Sequence, residues 1–294
     1  MTAEPGTHRS PLPTIVVATR DRRERVLATL RRLDELAERP QVVVVDDAST
    51  DGTASAIRER FPDVTVLASP QNIGSAARTI GVQAADTPLV AFSDDDSWWA
   101  PGALRRAAEV FEAYPRLGLI AAQILVEPDG RLDPTCVEMR DSPLHSDIRL
   151  PGPPVLGFLA CGAVARRSAV LGCGGFHARY GFGGEEHLLA VDMAAAGWAL
   201  AYVDDVVAHH QPESGPRSWQ GTHELRNQIW STWLRRPLAL AARRTIALAV
   251  GGDGHGVPAM VAAVRGLPWV LRERRVIPDD VERGLRLLET SRSD

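Results

Sequence analysis

The 294-residue sequence predicts an α/β fold with a mostly parallel sheet covered by helices on both faces. Short apolar runs alternate with segments of helical periodicity through the first half of the chain. The apolar runs are continuous, which is typical of strands buried on both faces. A hydrophobic content of 45% is ample for a core of this size.

Each strand of the first half is predicted from a run rich in β-branched and apolar residues. The runs are TIVVAT (14–19), VVVVDD (42–47), VTVLAS (64–69) and PLVAFS (88–93). The intervening helical patterns cover 22–38, 53–60, 74–85 and 101–113. In the first helical pattern, Val26, Leu30 and Leu33 recur at helical spacing.

The second half of the chain is less regular. We predict a strand over 117–126, a helix over 185–196, a strand over 200–210 and helices after Pro212. The expected organisation is a flexible tail (1–12), an α/β domain (13–212) and a helical C-terminal extension (213–294).

Composition excludes several classes of protein. A formal charge of -4 gives no basic surface for nucleic acid. Cys136, Cys161 and Cys173 show neither CxxC spacing nor a paired framework, so we expect reduced thiols in a cytoplasmic protein. Residues 1–13 contain no apolar region of a signal peptide, and no stretch is long and apolar enough to span a bilayer.

Polar side chains follow three of the predicted strands. Residues 19–21 (Thr-Arg-Asp), 46–47 (Asp-Asp) and 94–96 (Asp-Asp-Asp) stand at strand ends. In open sheets of this kind, ligands bind at the carboxyl ends of the strands. We therefore expect acids and an arginine to surround one crevice.

Three successive aspartates repel one another and cost stability unless a cation or a proton compensates their charge. Mg²⁺ and Mn²⁺ are commonly held by one or two carboxylates, while phosphate oxygens and waters complete their coordination. Asp94 and Asp96 could supply these carboxylates for a metal-bound diphosphate. Taken alone, the pattern is equally typical of a solvated loop or a helix cap.

Several segments in this order resemble family 2 glycosyltransferases of the GT-A fold. They are TIVVATRDR (14–22), VVVVDDASTDGT (42–53), NIGSAARTIG (72–81), AFSDDDSWWAPGAL (91–104), the segment from GGF to the acidic pair (174–198) and VVAHH (206–210). The resemblance covers about residues 12–212. It implies a GT-A fold and an inverting, metal-assisted sugar transfer from a nucleoside-diphosphate sugar.

The resemblance assigns a donor site. Asp47 matches the acid that hydrogen-bonds the nucleotide base, and Arg78 matches a basic residue near the nucleotide. The remaining donor-side residues are Ala18, Thr19, Arg20, Asp94 and Asp95. Thr79 stands where relatives often carry Asn, so the identity of the base stays open.

The resemblance also implies a site for Mn²⁺ or Mg²⁺. Asp94 and Asp96 match the two ends of the DxD motif, with Asp96 the direct ligand. His209 or His210 matches a histidine that completes metal or diphosphate binding, and the sequence does not choose between them. Both histidines are also compatible with an ordinary loop.

Glu186 matches the catalytic base, which is Asp in most relatives, and Glu185 is the alternative. The implied reaction is a single displacement: the base takes a proton from the acceptor hydroxyl while metal stabilises the leaving diphosphate. Acids at a helix start are also favoured by the helix dipole without catalysis. Asp47 likewise has a purely structural interpretation as a turn cap.

The expected enzyme transfers a hexosyl or deoxyhexosyl group from a UDP-, dTDP- or GDP-sugar. Its acceptor is a glycan, a lipid-linked glycan or a small molecule. Two alternatives are a non-catalytic nucleotide-sugar-binding subunit and a nucleotidyltransferase. A dinucleotide-dependent dehydrogenase is disfavoured because no GxGxxG follows a strand.

Helices bearing Arg and Trp between 219 and 275 suggest peripheral contact with anionic lipid at the inner face of the membrane. The arginines of this region are otherwise expected on solvated helix faces. The sugar transferred and the oligomeric state are open at the level of sequence.

Overall fold

The computed structural model describes residues 11–212, 220–250 and 255–291. The predicted N-terminal tail lies almost entirely outside the described residues. The strands are Thr14–Thr19 (β1), Val42–Asp46 (β2), Thr65–Ala68 (β3), Leu89–Asp94 (β4), Ser97–Trp99 (β5), Leu117–Val126 (β6), Arg131–Leu132 (β7), Ala163–Arg166 (β8) and Ala199–His210 (β9).

The helices of the first 212 residues pack around these strands. They are Arg23–Asp34 (α1), Thr53–Arg60 (α2), Ala77–Ala84 (α3), Ala103–Ala113 (α4), Pro134–Arg140 (α5), Arg167–Gly172 (α6) and Glu185–Ala195 (α7). The C-terminal helices are Gln220–Arg235 (α8), Leu238–Val250 (α9), Gly256–Arg265 (α10), Leu267–Glu273 (α11) and Asp279–Ser291 (α12).

The α/β class is confirmed, and the sheet has the strand order β3-β2-β1-β4-β8-β6-β9-β5. The short strand β7 lies outside this order and pairs antiparallel with β6. Its first half is parallel, as expected. Its second half is mixed, because β8 runs antiparallel to both β4 and β6 and β5 runs antiparallel to β9. The chain reaches β8 through an irregular segment and not through a crossover helix, so β8 enters in the opposite direction.

The strand register brings the polar strand ends together. Ala18 of β1 lies opposite Val45 of β2 on one side and Asp94 of β4 on the other. Thr19 lies opposite Asp46. Since parallel strands end at the same edge of the sheet, the predicted crevice forms at this edge.

Two of the hydrophobic cores among the described residues bear on the site. The larger one packs the strands of the sheet between their flanking helices. A second core joins α8, α10 and α11 to Tyr180 and Leu188. Trp230 and Trp269, which were expected to contribute to a lipid-facing surface, are instead 6% exposed in this second core. Across the described ranges, every helix is too short or too polar to traverse a bilayer.

Two predicted helices begin or end differently in the structure. The first ends at Asp34 and not at Glu38, because the chain turns and Arg39 takes a φ of 47°. The helix predicted over 74–85 opens with a 3-10 turn at Gly74–Ala76, since Gly74 has a φ of 62° that an α-helix excludes. The elements β5, β7, β8, α5 and α6 are short, and their patterns in the sequence were too short to predict them.

Gly74 also permits a close approach between two loops. A Cβ atom on Gly74 would lie 2.8 Å from the Cα of Gly181, and the amide of Ser75 donates to the carbonyl of Gly181 at 2.8 Å. The loop that precedes α3 is thereby tied to the loop that precedes α7.

We expect Gly74→Ala to lower the free energy of unfolding by about 2–4 kcal/mol, because strain at positive φ adds to a backbone clash. Gly52→Ala is the matched control: Gly52 has a φ of 79° with no atom within 4 Å of the added Cβ. Its cost should be only about 1 kcal/mol. Urea unfolding of both variants measures the difference, and equal costs would contradict the close approach.

Candidate active site

The candidate site lies at the carboxyl ends of β1, β2 and β4. Thr19 donates from Oγ1 to Oδ2 of Asp95 at 2.9 Å, and its carbonyl accepts from the amide of Asp47 at 2.8 Å. The Asp47 carboxylate accepts from the amides of Ile73 and Gly74 at 2.8–3.1 Å. Asp47 therefore fastens the loop before α3 to the end of β2.

The structure brings Ala18 and Thr19 to this edge but leaves Arg20 largely open to solvent. The Arg20 side chain is 44% exposed and pairs with Asp21 at 3.5 Å. Ala18 is partly buried beside Asp94 in the sheet register. Of these three predicted donor-side residues, Thr19 is the one whose side chain hydrogen-bonds Asp95 in the acidic motif of residues 94–96.

Two arginines that the sequence analysis did not select hold the acidic motif. Arg22 lies 3.2 Å from Asp95 and 3.1 Å from Asp96, and Arg25 lies 3.1 Å from Asp96. Both follow β1, within or just before α1. The charge of the crowded carboxylates is thus compensated inside the protein by guanidinium groups.

The two carboxyls respond differently to their surroundings. Burial raises the pKa of Asp95 to about 7, against the opposing charge of Arg22. Burial also acts to raise the pKa of Asp96, but the hydrogen bond and charge of His210, with Arg22 and Arg25, hold it below its usual value. Asp96 is therefore the more firmly ionised of the two.

The two histidines at the end of β9 point to opposite sides, as successive strand residues do. Nε2 of His210 lies 3.4 Å from Oδ1 of Asp96. Nδ1 of His209 lies instead 2.7 Å from Oε1 of Glu127, and its ring stacks on Trp98. Burial acts to lower the pKa of His210, but Asp96 outweighs it and raises that pKa. Geometry thus brings His210, and not His209, to the acidic motif.

Arg78 joins the acidic motif to the acidic pair at the start of α7. It is 4% exposed, forms an ion pair with Asp94 and places Nη1 3.6 Å from Oε1 of Glu185. Burial disfavours its charge, but Asp94, Glu186 and Glu185 outweigh that effect and raise its pKa. This single buried guanidinium therefore connects the two halves of the predicted site.

The two carboxyls of the acidic pair, Glu185 and Glu186, lie in different environments. Glu185 is 2% exposed, and its Oε2 has no hydrogen-bond partner within the described part of the chain. Burial, then the charge of Glu186, raises the pKa of Glu185 to about 8. Glu186 is partly exposed and lines a cavity, and burial raises its pKa against the opposing charge of Arg78. Of the two, Glu186 is the carboxylate that faces the cavity.

A buried asparagine on α8 positions the loop before this pair. Nδ2 of Asn227 lies 3.0, 3.2 and 2.6 Å from the carbonyl oxygens of Tyr180, Phe182 and Gly183, respectively. Asn227 is fully buried. Sequence reasoning missed it because no local motif marks it and its partners lie more than 40 residues earlier in the chain.

Glu186 opens into a cavity of about 960 Å³ between α5, α7, α8 and α12. Phe158 and Val191 contribute apolar surface, and Arg235 and Arg236 contribute charge. Arg236, expected on a solvated face, is 4% exposed and forms a two-pronged ion pair with Glu282. The cavity therefore combines an apolar wall, arginines and a carboxylate of raised pKa, which is typical of a ligand site.

The acidic motif offers the hard oxygen ligands that Mg²⁺ and Mn²⁺ prefer, with an imidazole beside them. Over the residues described, no group of three or more His, Cys, Asp or Glu side chains has the arrangement of a metal site. The Asp96 carboxylate instead forms ion pairs with Arg22 and Arg25. The chemistry of Asp94, Asp96 and His210 fits a divalent ion once these arginines give up Asp96.

Comparison with known proteins identifies the class of protein. A mannosyltransferase from Pyrobaculum calidifontis, solved with GDP-Man and Mn²⁺, is 20% identical with a TM-score of 0.61 and covers 96% of this chain and 87% of its own. S. aureus TarS 1-349 with UDP-GlcNAc is 14% identical with a TM-score of 0.60, covering 95% and 91%. The fold is that of the GT-A glycosyltransferases.

The family follows from sequence. The model of glycosyl transferase family 2 matches residues 14–172. N-acetylglucosaminyl-diphospho-decaprenol L-rhamnosyltransferase of Mycobacterium tuberculosis is 30% identical over 268 residues, covering 76% of this chain and 86% of that protein. The chain belongs to glycosyl transferase family 2 and is a glycosyltransferase, as its motifs predicted.

The raised pKa of Glu185 predicts a pH effect on stability. The folded protein keeps this proton up to about pH 8, whereas the unfolded chain releases it near the ordinary pKa of 4.5. The free energy of unfolding therefore falls as the pH rises between these two values. Raising the pH from 5 to 8 should lower the free energy of unfolding of the wild type more than that of Glu185→Gln. We expect a difference of at least about 1 kcal/mol.

Urea unfolding at both pH values provides the measurement. Glu59→Gln, which removes an exposed carboxylate from α2, is the control and should retain the wild-type slope. If Glu185→Gln also retained that slope, Glu185 would not be the buried proton-binding group.

Proposed function

We propose that this glycosyltransferase moves a hexosyl or deoxyhexosyl group from a nucleoside-diphosphate sugar to a lipid-linked sugar acceptor, with inversion and with divalent metal assistance. The observation that carries the proposal is Arg78, whose buried guanidinium faces Asp94 on one side and the Glu185–Glu186 pair on the other. A donor site and an acceptor cavity thereby meet at one charged centre.

On the donor side, Asp47, Ala18, Thr19 and Arg20 bound the nucleotide pocket, with Asp94 and Asp95 at its diphosphate end. Asp94, Asp96 and His210 would hold Mn²⁺ or Mg²⁺, and a metal ion bound there would supply positive charge to the diphosphate leaving group. Arg22 and Arg25 exchange the Asp96 carboxylate for diphosphate oxygens when donor binds. Guanidinium groups suit this exchange because they bind carboxylate and phosphate with similar geometry.

On the acceptor side, Glu186 accepts the proton of the attacking hydroxyl. Its raised pKa supports this role, because a carboxylate with a higher pKa is a stronger base. Glu185 stays buried beside Arg78 and keeps its proton up to about pH 8, so Asp94 is the carboxylate that balances the charge of Arg78. A direct displacement at the anomeric carbon inverts its configuration, and no protein nucleophile takes part.

The acceptor assignment is supported by the cavity and by one relative. The cavity at Glu186 joins apolar walls to polar and charged side chains, which suits an acceptor that carries a sugar on a lipid. The mycobacterial relative is named for an N-acetylglucosaminyl-diphospho-decaprenol acceptor and an L-rhamnosyl group. L-rhamnose is a deoxyhexose, so a deoxyhexosyl donor is the first to test.

Metal-dependent donor binding is the first test. We expect one of UDP, dTDP and GDP to bind at least about ten-fold more tightly with Mn²⁺ than without it, and Asp96→Asn to abolish this enhancement. Asp205→Asn is the control, because Asp205 is exposed on β9 and pairs only with Arg106 among the contacts described. Calorimetric titration measures each affinity.

An equal Mn²⁺ enhancement in wild type and Asp96→Asn would remove Asp96 from the metal site. Absence of nucleotide binding in both would overturn the donor site. Tight binding without any transfer or donor hydrolysis would favour a non-catalytic nucleotide-sugar-binding subunit.

The role of Glu186 is tested separately. Glu186→Gln should lower kcat by about 10²–10⁴-fold while leaving nucleotide affinity within two-fold, because a general base acts on the acceptor and not on the donor. Glu186→Asp should retain part of the activity, since it keeps a carboxylate. Turnover with a lipid-linked acceptor and the anomeric configuration of the product, read by NMR, are the measurements. A larger loss in Glu185→Gln than in Glu186→Gln would reverse the two assignments.

A further inference from the structure

The helices α10 and α11 present an unusual outer surface. Val257, Val261 and Val264 recur at helical spacing on α10 and are 71%, 48% and 52% exposed. Leu267 and Leu271 continue the exposed apolar side chains on α11, at 38% and 61%. We call these five residues the α10–α11 face. Large aliphatic groups gathered on an exposed helix face mark an interaction site.

This concentration is specific to one part of the molecule. Within the described residues, eight of the eleven exposed large hydrophobic side chains lie between 238 and 276. The inner side of the same helices is well packed, since Ala259, Ala263, Trp269 and Val270 lie in the second core. The face is therefore held outward by a packed structure and is not the result of a loosely folded helix.

The charge of this region points to the chemistry of its partner. Residues 238–276 contain six arginines and only two acids, in a chain whose formal charge is -4. Arg265, Arg272 and Arg275 are exposed beside the apolar side chains. Exposed aliphatic residues surrounded by arginines complement the interface of an anionic phospholipid bilayer, where negatively charged headgroups cover an apolar layer of acyl chains.

The face is also connected to the acceptor side of the site. Nε2 of His177 lies 2.9 Å from Oε2 of Glu273 at the end of α11, and the His177 ring stacks on Trp269 at 4.9 Å. His177 belongs to the segment that leads to Glu185 and Glu186. The helix α11 therefore packs against the segment that precedes Glu185 and Glu186.

We propose that the α10–α11 face docks the protein on anionic phospholipid bilayers, with valine and leucine side chains entering the interface and the surrounding arginines contacting lipid phosphates. The arginines supply attraction at a distance and the aliphatic groups supply burial on contact. The docking itself requires neither nucleotide nor acceptor, so it can succeed or fail independently of the proposed sugar transfer.

Flotation of the full-length protein with vesicles tests the proposal. We expect binding to phosphatidylcholine vesicles containing 30% phosphatidylglycerol and weak binding to pure phosphatidylcholine. Most binding should be lost when NaCl rises from 50 to 500 mM, because the electrostatic screening length falls from roughly 10 Å to a few ångströms. Val261→Asp with Leu271→Asp should reduce the bound fraction at least ten-fold. Each of Arg265→Gln, Arg272→Gln and Arg275→Gln should weaken binding about five-fold.

Leu287→Asp is the matched control, because Leu287 is an exposed aliphatic side chain outside the face, at 42%. It should float as the wild type does. An unchanged midpoint of urea unfolding in the Val261→Asp, Leu271→Asp double variant shows that it remains folded.

Three outcomes would overturn the proposal. The first is failure of the wild type to float with anionic vesicles, and the second is equal flotation of the wild type and the double variant. The third is a dimer, detected by light scattering, that dissociates in the double variant while vesicle binding is absent. That result would assign the face to self-association.

Discussion

The buried guanidinium of Arg78 is the interaction on which the site depends. Asp94 at the end of β4 and Glu185 at the start of α7 lie more than 90 residues apart in sequence, and Arg78 contacts both of them, as an ion pair with Asp94 and at 3.6 Å from Glu185. Removing one partner of a buried ion pair leaves an uncompensated charge, which costs about 3–5 kcal/mol. Arg78 therefore connects the acidic motif at the end of β4 to the acidic pair at the start of α7.

The same logic explains how three successive aspartates are tolerated at a strand end. Arg78 compensates Asp94, while Arg22 and Arg25 compensate the two that follow. Under the proposed function, a diphosphate with a metal ion would bring both negative and positive charge to this cluster, so it would replace internal ion pairs without a net change in charge. The site is thus stable as an ion-pair network and is chemically prepared for an exchange of partners.

Sequence reasoning predicted the parts of this molecule that are specified locally. The strands β1, β2 and β4 are continuous apolar runs, and their polar ends meet because parallel strands terminate at one edge. The direction of β8 could not be predicted, since it depends on the path of an irregular segment. The choice between His209 and His210 depends on which strand face meets Asp96, and a shift of one residue reverses it.

Arg22 and Asn227 illustrate what a single sequence leaves out. Each acts on groups far away in the chain: Arg22 ends the segment TIVVATRDR, but nothing near it in sequence shows that it pairs with Asp95 and Asp96, and Asn227 belongs to none of the quoted motifs. Asn227 also shows that the C-terminal helices are part of the site: α8 holds the loop before the acidic pair and, through the second core, is packed against the helices that carry the α10–α11 face. Because one packed unit carries these features, the α10–α11 face and the loop before Glu185 and Glu186 are joined through the second core.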